Sequence, residues 1–262
     1  MSQHKSVKIV TLTIAQGLNF LINFITLPYL SRALSYEEYG SYGQVLMIGN
    51  LCLILCTLGI QHVITVILVE NKNKESVVFS TGMQLILFSS LIGVIILCAG
   101  SPALSILFKN DLTNLILLFA PSIIFQIITS LIIPTLIYAE KIRRLALLTI
   151  ITNILKISVI FVAIQFLHSI TYLILFITLA SFVGLILHFF SLPKEYRKIV
   201  KFDKQISKKI LTLSWPMYLT GILGFGIIYM DGFIISTMLS IKDYAIYRNG
   251  AIEIPFLASI YS

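Results

Sequence analysis

Lys156 stands at the middle of an apolar run, residues 145–167, about eleven residues from either end. At 1.5 Å of rise per residue this is roughly 16 Å of helix, farther than a lysine side chain reaches by snorkelling. A cation at that depth costs ~2.5–3.5 kcal/mol on insertion scales and needs a partner or an aqueous cavity. Thr149, Thr152, Asn153 and Lys156 fall at helical spacing, so the run has one polar face. Hydrogen bonding between helices would account for the neutral members, whereas the charge points to a cationic spot in a water-filled cavity. Gln16, Asn19, Asn23 and Thr26 form a second stripe at i, i+3, i+7 and i+10, which suits either a cavity lining or contact between helices. Arg32 lies near its outer end, after Pro28, where a kinked helix frees backbone groups; interfacial anchoring is the alternative. The run 211–239 is interrupted at its beginning by Trp215-Pro216, and Asp231, about two turns inside its far end, calls for a cation or water, with Arg32 as a candidate partner. Arg248 and Glu253 begin a further run and are candidates for the same ion-pair network or gate.

The elements that must hold these residues follow from composition. Hydrophobic residues make up 58% of the chain, charged residues 11%, and mean hydropathy is +0.97; soluble domains run at about 45–50% and about 25%. The apolar residues cluster in runs near the 20 that a helix needs to cross a bilayer. Spans are predicted near 7–30, 44–69, 77–98, 113–137, 145–167, 170–190 and 211–239, with an eighth beginning near 244. The fold class is an all-α polytopic membrane protein. The first run is too long for a removable signal peptide and reads as a retained helix. Cys52, Cys56 and Cys98 lie inside or at the end of apolar runs with no histidine at ligand spacing, which suits packing. His62, His168 and His188 are scattered near run ends. No phosphate-binding loop, nucleophile elbow or metalloprotease helix occurs. The expectation is therefore a protein that is not an enzyme, with no cofactor and no metal, driven by an ion gradient or by metabolism on the two sides of the membrane.

Basic residues divide unevenly between the two sides these spans define. Fourteen fall on the side of the N-terminus, and Arg32, Lys109, Lys242 and Arg248 on the other. The positive-inside rule places the N-terminus in the cytoplasm, so the +8 charge is a topological signal, with membrane lipids and not nucleic acid as its partner. Residues 193–209 carry seven Lys/Arg against Glu195 and Asp203. They read as a cytoplasmic connector, partly an amphipathic helix at the lipid surface. A short phrase stands on either side of it. Leu34, Ser35, Tyr39 and Tyr42 match Leu239, Ser240, Tyr244 and Tyr247 at a constant offset, with Glu38 answered by Asp243. The preceding runs also begin alike, Lys8-Ile9-Val10-Thr11-Leu12 against Lys209-Ile210-Leu211-Thr212-Leu213. Six spans separate the copies, so the two halves enter the membrane in the same direction. The expected organisation is a first six-helix lobe over 1–192, the connector 193–209, and the start of a second lobe over 210–262. A second lobe of six spans needs about four more helices, which makes the chain a truncated form of a protein of about twelve spans; an eight-span protein is the alternative.

The segment from Leu27-Pro28 through Arg32 to Glu38-Tyr39-Gly40, with Trp215-Pro216, Met230-Asp231 and Asp243-Tyr244, resembles bacterial polysaccharide-repeat-unit flippases of the Wzx type, which include the O-antigen flippases. The resemblance implies the multidrug/oligosaccharidyl-lipid/polysaccharide exporter fold, two six-helix lobes forming a V around a central cavity. It implies movement of an undecaprenyl-diphosphate-linked oligosaccharide across the bacterial inner membrane for lipopolysaccharide O-antigen or capsule, by alternating access. Lys156 and Arg32 would then hold the diphosphate or acidic sugars, and Gln16, Asn19, Asn23 and Asn153 would meet sugar hydroxyls. A polysaccharide polymerase and a chain-length regulator would be the protein partners. A drug or cation antiporter of the same superfamily is disfavoured because the first lobe has no deep carboxylate, and a lipid II flippase is poorly separated. A membrane glycan polymerase would present a large outer loop with catalytic residues, and the outer loops here are short.

Overall fold

A computed structural model describes Gly17, residues 24–198 and residues 200–251. Every regular element among the described residues is helical, because a segment crossing a bilayer finds no water for its N–H and C=O groups and must bond them internally. α1 occupies residues 24–33. It is followed by α2 (Tyr36–Thr57), α3 (Ile60–Glu70), α4 (Glu75–Leu107), α5 (Thr113–Tyr138), α6 (Ile142–Val162), α7 (Ile170–Ser191), α8 (Lys204–Met238) and α9 (Ile241–Gly250). Six stretches are long and apolar enough to span: Tyr36–Glu70, Lys72–Leu107, Thr113–Tyr138, Ile142–Leu167, Ile170–Ser191 and Lys204–Met238. They correspond to the second through seventh predicted spans, and the chain is an all-α polytopic membrane protein. The first predicted span, 7–30, lies for the most part outside the described residues.

α5 is the centre of the bundle. Ile123, Ile127, Leu131, Ile132 and Leu136 are fully buried along it, with α4 and α7 against its sides and α2 and α3 across its remaining face. Outward-facing side chains are also apolar, as at Ile106 and Ile227, 79% and 84% exposed. Large exposed apolar residues over a whole surface fit contact with lipid rather than water.

The repeated phrase proves to be a pair of helix starts. The Ser35 hydroxyl accepts from the Glu38 N–H at 3.2 Å while the Glu38 carboxylate accepts from the Ser35 N–H at 3.0 Å. Ser240 and Asp243 repeat the exchange at 3.2 Å in each direction. Each pair satisfies two N–H groups that a helix leaves open at its N-terminus, a capping box. The Ser240 hydroxyl, and then its N–H, hold the Asp243 carboxyl below its ordinary pKa.

Continuity differs from the sequence reading at three places. The span predicted over 44–69 is two helices, interrupted where Leu58 and Gly59 take left-handed backbone, φ 51° and 69°. The interruption expected at Trp215-Pro216 does not occur, and α8 runs through Pro216. The two observations share a cause: a Cβ on Gly59 would lie 2.8 Å from both the Ser214 carbonyl oxygen and the Tyr218 nitrogen, so the α2–α3 break is seated against the α8 backbone around the proline. Neighbouring helices of this kind let a membrane helix tolerate proline. The connector, third, is α-helical only from Lys204, where it has become the start of α8. It makes a single 3-10 turn, Lys194–Arg197, and the segment that follows hydrogen-bonds to the polar edge of α4. Gln84 Nε2 donates to the Val200 carbonyl at 2.9 Å, the Val200 N–H donates to Ser80 Oγ at 3.0 Å, and the Asp203 N–H donates to Thr81 Oγ1 at 3.3 Å. Backbone groups engaged by α4 are not available to a helix. Asp203 then caps α8 by accepting from the Gln205 and Ile206 N–H groups, which starts that helix at Lys204 instead of near 211.

Side-chain contacts tie each end of the bundle together. At the connector end, Glu75 accepts from the Tyr138 and Tyr196 hydroxyls at 2.6 and 2.7 Å, and Lys209 pairs with Glu70 at 2.6 Å. Burial, followed by the bond to Glu75, raises the Tyr196 phenol above its ordinary pKa and keeps it a donor. Gly59→Ala imposes strain of ~1–3 kcal/mol and a backbone clash. It is expected to lower the thermal unfolding midpoint in detergent by several degrees, and an unchanged midpoint would show that α8 is free to move away.

Candidate functional site

The site is built where α9 and the C-terminal part of α8 lie against α2. α9 approaches because α2 presents glycines: a Cβ on Gly40 would lie 2.6 Å from Ile241 Cγ1, and one on Gly43 would lie 2.5 Å from Arg248 Nη1. The Arg248 guanidinium is thereby laid over the rings of Tyr39 and Tyr42, 5.1 and 5.2 Å from their centroids, within the range of cation–π attraction. Its Nη1 is buried and has no hydrogen-bond partner among the described residues, as is true of the Tyr39 hydroxyl. α8 is bound to α2 by two polar rungs. Gln44, fully buried, donates to Ser236 Oγ at 2.7 Å, and Asn50 donates to the Tyr229 hydroxyl at 2.9 Å. Asn110, in the turn after α4, extends the first rung by donating to Gln44 Oε1 and Ser41 Oγ at 2.8 and 2.9 Å.

Behind this seam lies a cavity of about 650 Å³. α1 contributes Thr26, Leu27 and Leu30 to its wall, α2 contributes Tyr42, Leu46 and Asn50, and α6 contributes Lys156. Tyr229 and Asp231 come from α8, and Tyr244, Tyr247 and Arg248 from α9. The Asp231 carboxylate accepts from the Tyr247 hydroxyl and, at 2.6 Å, from the Gly232 N–H. Among the described residues, two cations, one carboxylate and several phenols thus share one space. Such a wall can hold an anionic group by charge-assisted hydrogen bonds and a polyhydroxylated group by neutral ones.

The tertiary structure brings Lys156, Asp231 and Arg248 together and separates them from other sequence candidates. Arg32 does not pair with Asp231. It is exposed and lines a different cavity, of about 380 Å³, with Tyr36, Tyr39, Ala245 and Asn249. α9 divides the two: its Tyr244, Tyr247 and Arg248 face one cavity and its Ala245, Ile246 and Asn249 the other. Asn153 is buried, does not line the Lys156 cavity, and its Nδ2 has no partner among the described residues. Thr149 and Thr152 turn their hydroxyls back to the Leu145 and Leu148 carbonyls of their own helix, so the polar face of α6 is less a lining than its spacing suggests. Gln16, Asn19, Asn23 and Glu253 lie outside the described residues.

Sequence reasoning misses Gln44, Asn50, Asn110, Tyr229 and Ser236. Only Gln44 and Asn50 carry a usable signal, as amides inside an apolar run; serine and tyrosine at the ends of apolar runs carry none. Behind α2, a second hollow of about 760 Å³ runs between α2, α4 and α8 and is lined by apolar side chains together with Cys52 and Cys56. The cysteines are packed as expected, and a Cβ on Gly93 would meet Cys56 Sγ at 2.0 Å.

The fold and the cavity define a multi-pass helical membrane protein with a charged cavity between its helices. A family model described as polysaccharide biosynthesis protein matches residues 7–253, and the chain belongs to that family. No curated protein and no solved structure matches it. The hydrogen-bonded seam yields a direct test. Gln44→Ala leaves buried partners unsatisfied, worth ~1–3 kcal/mol. Combining it with Ser236→Ala is expected to cost less than the two single losses together, because they share one bond. Thermal or denaturant unfolding of the four forms checks this, and strict additivity would show that the rung is not energetically coupled.

Proposed function

We propose that the protein translocates an undecaprenyl-diphosphate-linked oligosaccharide repeat unit across the bacterial inner membrane for surface polysaccharide, O-antigen or capsule, by alternating access. The observation that carries this reading is that Lys156 and Arg248 line one cavity, in a chain of the polysaccharide biosynthesis family. A diphosphate or acidic sugar takes up the two cations. Asn50 and the phenols of Tyr229, Tyr244 and Tyr247 offer partners for sugar hydroxyls. Arg32, in the neighbouring cavity, and the Gln16, Asn19 and Asn23 stripe of the first predicted span serve the same substrate. Opening toward the other side requires α8 and α9 to part from α2, which means breaking the Gln44–Ser236 and Asn50–Tyr229 bonds. Polymerase and chain-length regulator would receive the product.

Asp231 is the feature that suits a cation or drug antiporter. Its carboxylate is already engaged by Tyr247 and the Gly232 N–H, and among the described residues cations outnumber it two to one in the cavity, so the anionic substrate is the better fit. In a cell whose own flippase is deleted, Lys156→Ala is expected to reduce surface polysaccharide at least about tenfold, the loss of a charge-assisted hydrogen bond. Lys156→Arg should retain most of it, and both forms should reach the membrane at equal levels on an immunoblot. Undiminished polysaccharide with Lys156→Ala would overturn the reading, and drug resistance conferred instead would favour the antiporter.

A further inference from the structure

We infer that the segment between α7 and α8 is a docking ribbon for anionic phospholipid headgroups, which anchors the start of α8 to the membrane surface. One side of the ribbon faces the bundle. There Tyr196 reaches Glu75, and the backbone of Val200 and Asp203 is held by Ser80, Thr81 and Gln84 of α4. Lys194, Lys198 and Lys201 of the ribbon, and Lys204 and Lys208 in the first turns of α8 that continue it, are all exposed. Among the described residues none of these five lysines has an ion-pair partner; the pair found there, Glu70–Lys209, uses a sixth. The nearby carboxylates have other uses, Glu75 with two phenols and Asp203 as the cap of α8. Exposed Glu195 is left against five amines.

Like charges this close repel one another in the folded chain, and an anionic surface relieves that repulsion. The surface is argued from depth and from the aromatics. The ribbon joins the ends of two membrane-spanning helices, which sets it at headgroup level. Phe202 stands exposed between Lys201 and Lys204, and Phe190 is 64% exposed at the end of α7. The Arg197 guanidinium lies 5.7 Å from the Phe190 ring centroid, and its Nε donates to the Leu192 carbonyl at 2.9 Å. Apolar rings beside cations match the boundary between acyl chains and anionic headgroups, which a soluble acidic partner does not offer. Because the ribbon continues into α8, which carries Asp231 and the seam with α2, lipid held there steadies one wall of the cavity whatever the cavity transports.

The test uses the full chain reconstituted in phosphatidylcholine bilayers with or without phosphatidylglycerol. Phosphatidylglycerol is expected to raise the unfolding midpoint of the natural chain and to remain bound in native mass spectrometry. Changing all five lysines to glutamine should abolish both effects while leaving the midpoint in phosphatidylcholine unchanged. Single Lys201→Gln and Lys204→Gln variants, which cover the case in which the fivefold variant fails to fold, should each weaken lipid retention by about fivefold, the equivalent of one surface lysine. Added salt should remove the effect in the natural chain. Retention of the phosphatidylglycerol effect in the lysine variants would overturn the inference. So would equal stabilisation by soluble polyglutamate, which would show that charge alone, without a lipid surface, is recognised.

Discussion

The close approach of α8 and α9 to the edge formed by α2 and α3 is the contact on which the rest of the arrangement depends. Gly40, Gly43 and Gly59 make it possible, since a methyl group at any of them would lie within 3 Å of an atom of α8 or α9. Between helices in lipid there is little hydrophobic drive, so association rests on packing and on hydrogen bonds. Small residues set the distance, and only at that distance do Gln44 and Ser236, or Asn50 and Tyr229, come within bonding range. At Gly59 the requirement is double, because its positive φ also lets the chain turn from α2 into α3.

Two environments result, one on each side of the same seam. On one side is the cavity with Lys156, Asp231 and Arg248, and on the other the apolar hollow beside Cys52 and Cys56; Met47 borders both. The proposed substrate has a similar division, a charged and hydroxylated head on an isoprenoid tail. Within the cavity, low dielectric strengthens each charge contact and penalises each unpaired one. Arg248, seated on two tyrosine faces with one nitrogen still unpartnered among the described residues, is the group most sensitive to what enters.

The two ends of the bundle are held differently. At the end away from the connector α2 and α9 begin with matched capping boxes, so the repeated phrase directs two helices to start near one another and to lie side by side. At the other end the first bundle grips the connector through side-chain bonds to its backbone, leaving its lysines outward. The connection can therefore hold α8 in place without being a helix itself.

Spans and the two matched helix starts were legible in the sequence because each depends on local composition. A run of about twenty apolar residues must be helical in lipid, and Ser-x-x-Glu or Ser-x-x-Asp is the pattern that caps a helix start. Lys156 was legible as a cavity residue for the same reason, since a charge at mid-span is costly whatever surrounds it. Partners were not legible. Arg32 and Asp231 each precede a copy of the repeated phrase, yet α9 stands between them; Asn153 shares a face with Lys156 but not its cavity. The break at Leu58-Gly59 and the unbroken passage through Pro216 are one event, decided by two backbones that meet from residues far apart in the chain. Composition alone marks the segments long and apolar enough to cross the membrane, though not where their helices start. The tertiary structure alone decided which polar groups face one another, because in lipid that depends on how closely the helices approach, and the approach is set by glycines on one helix and the side chains of another.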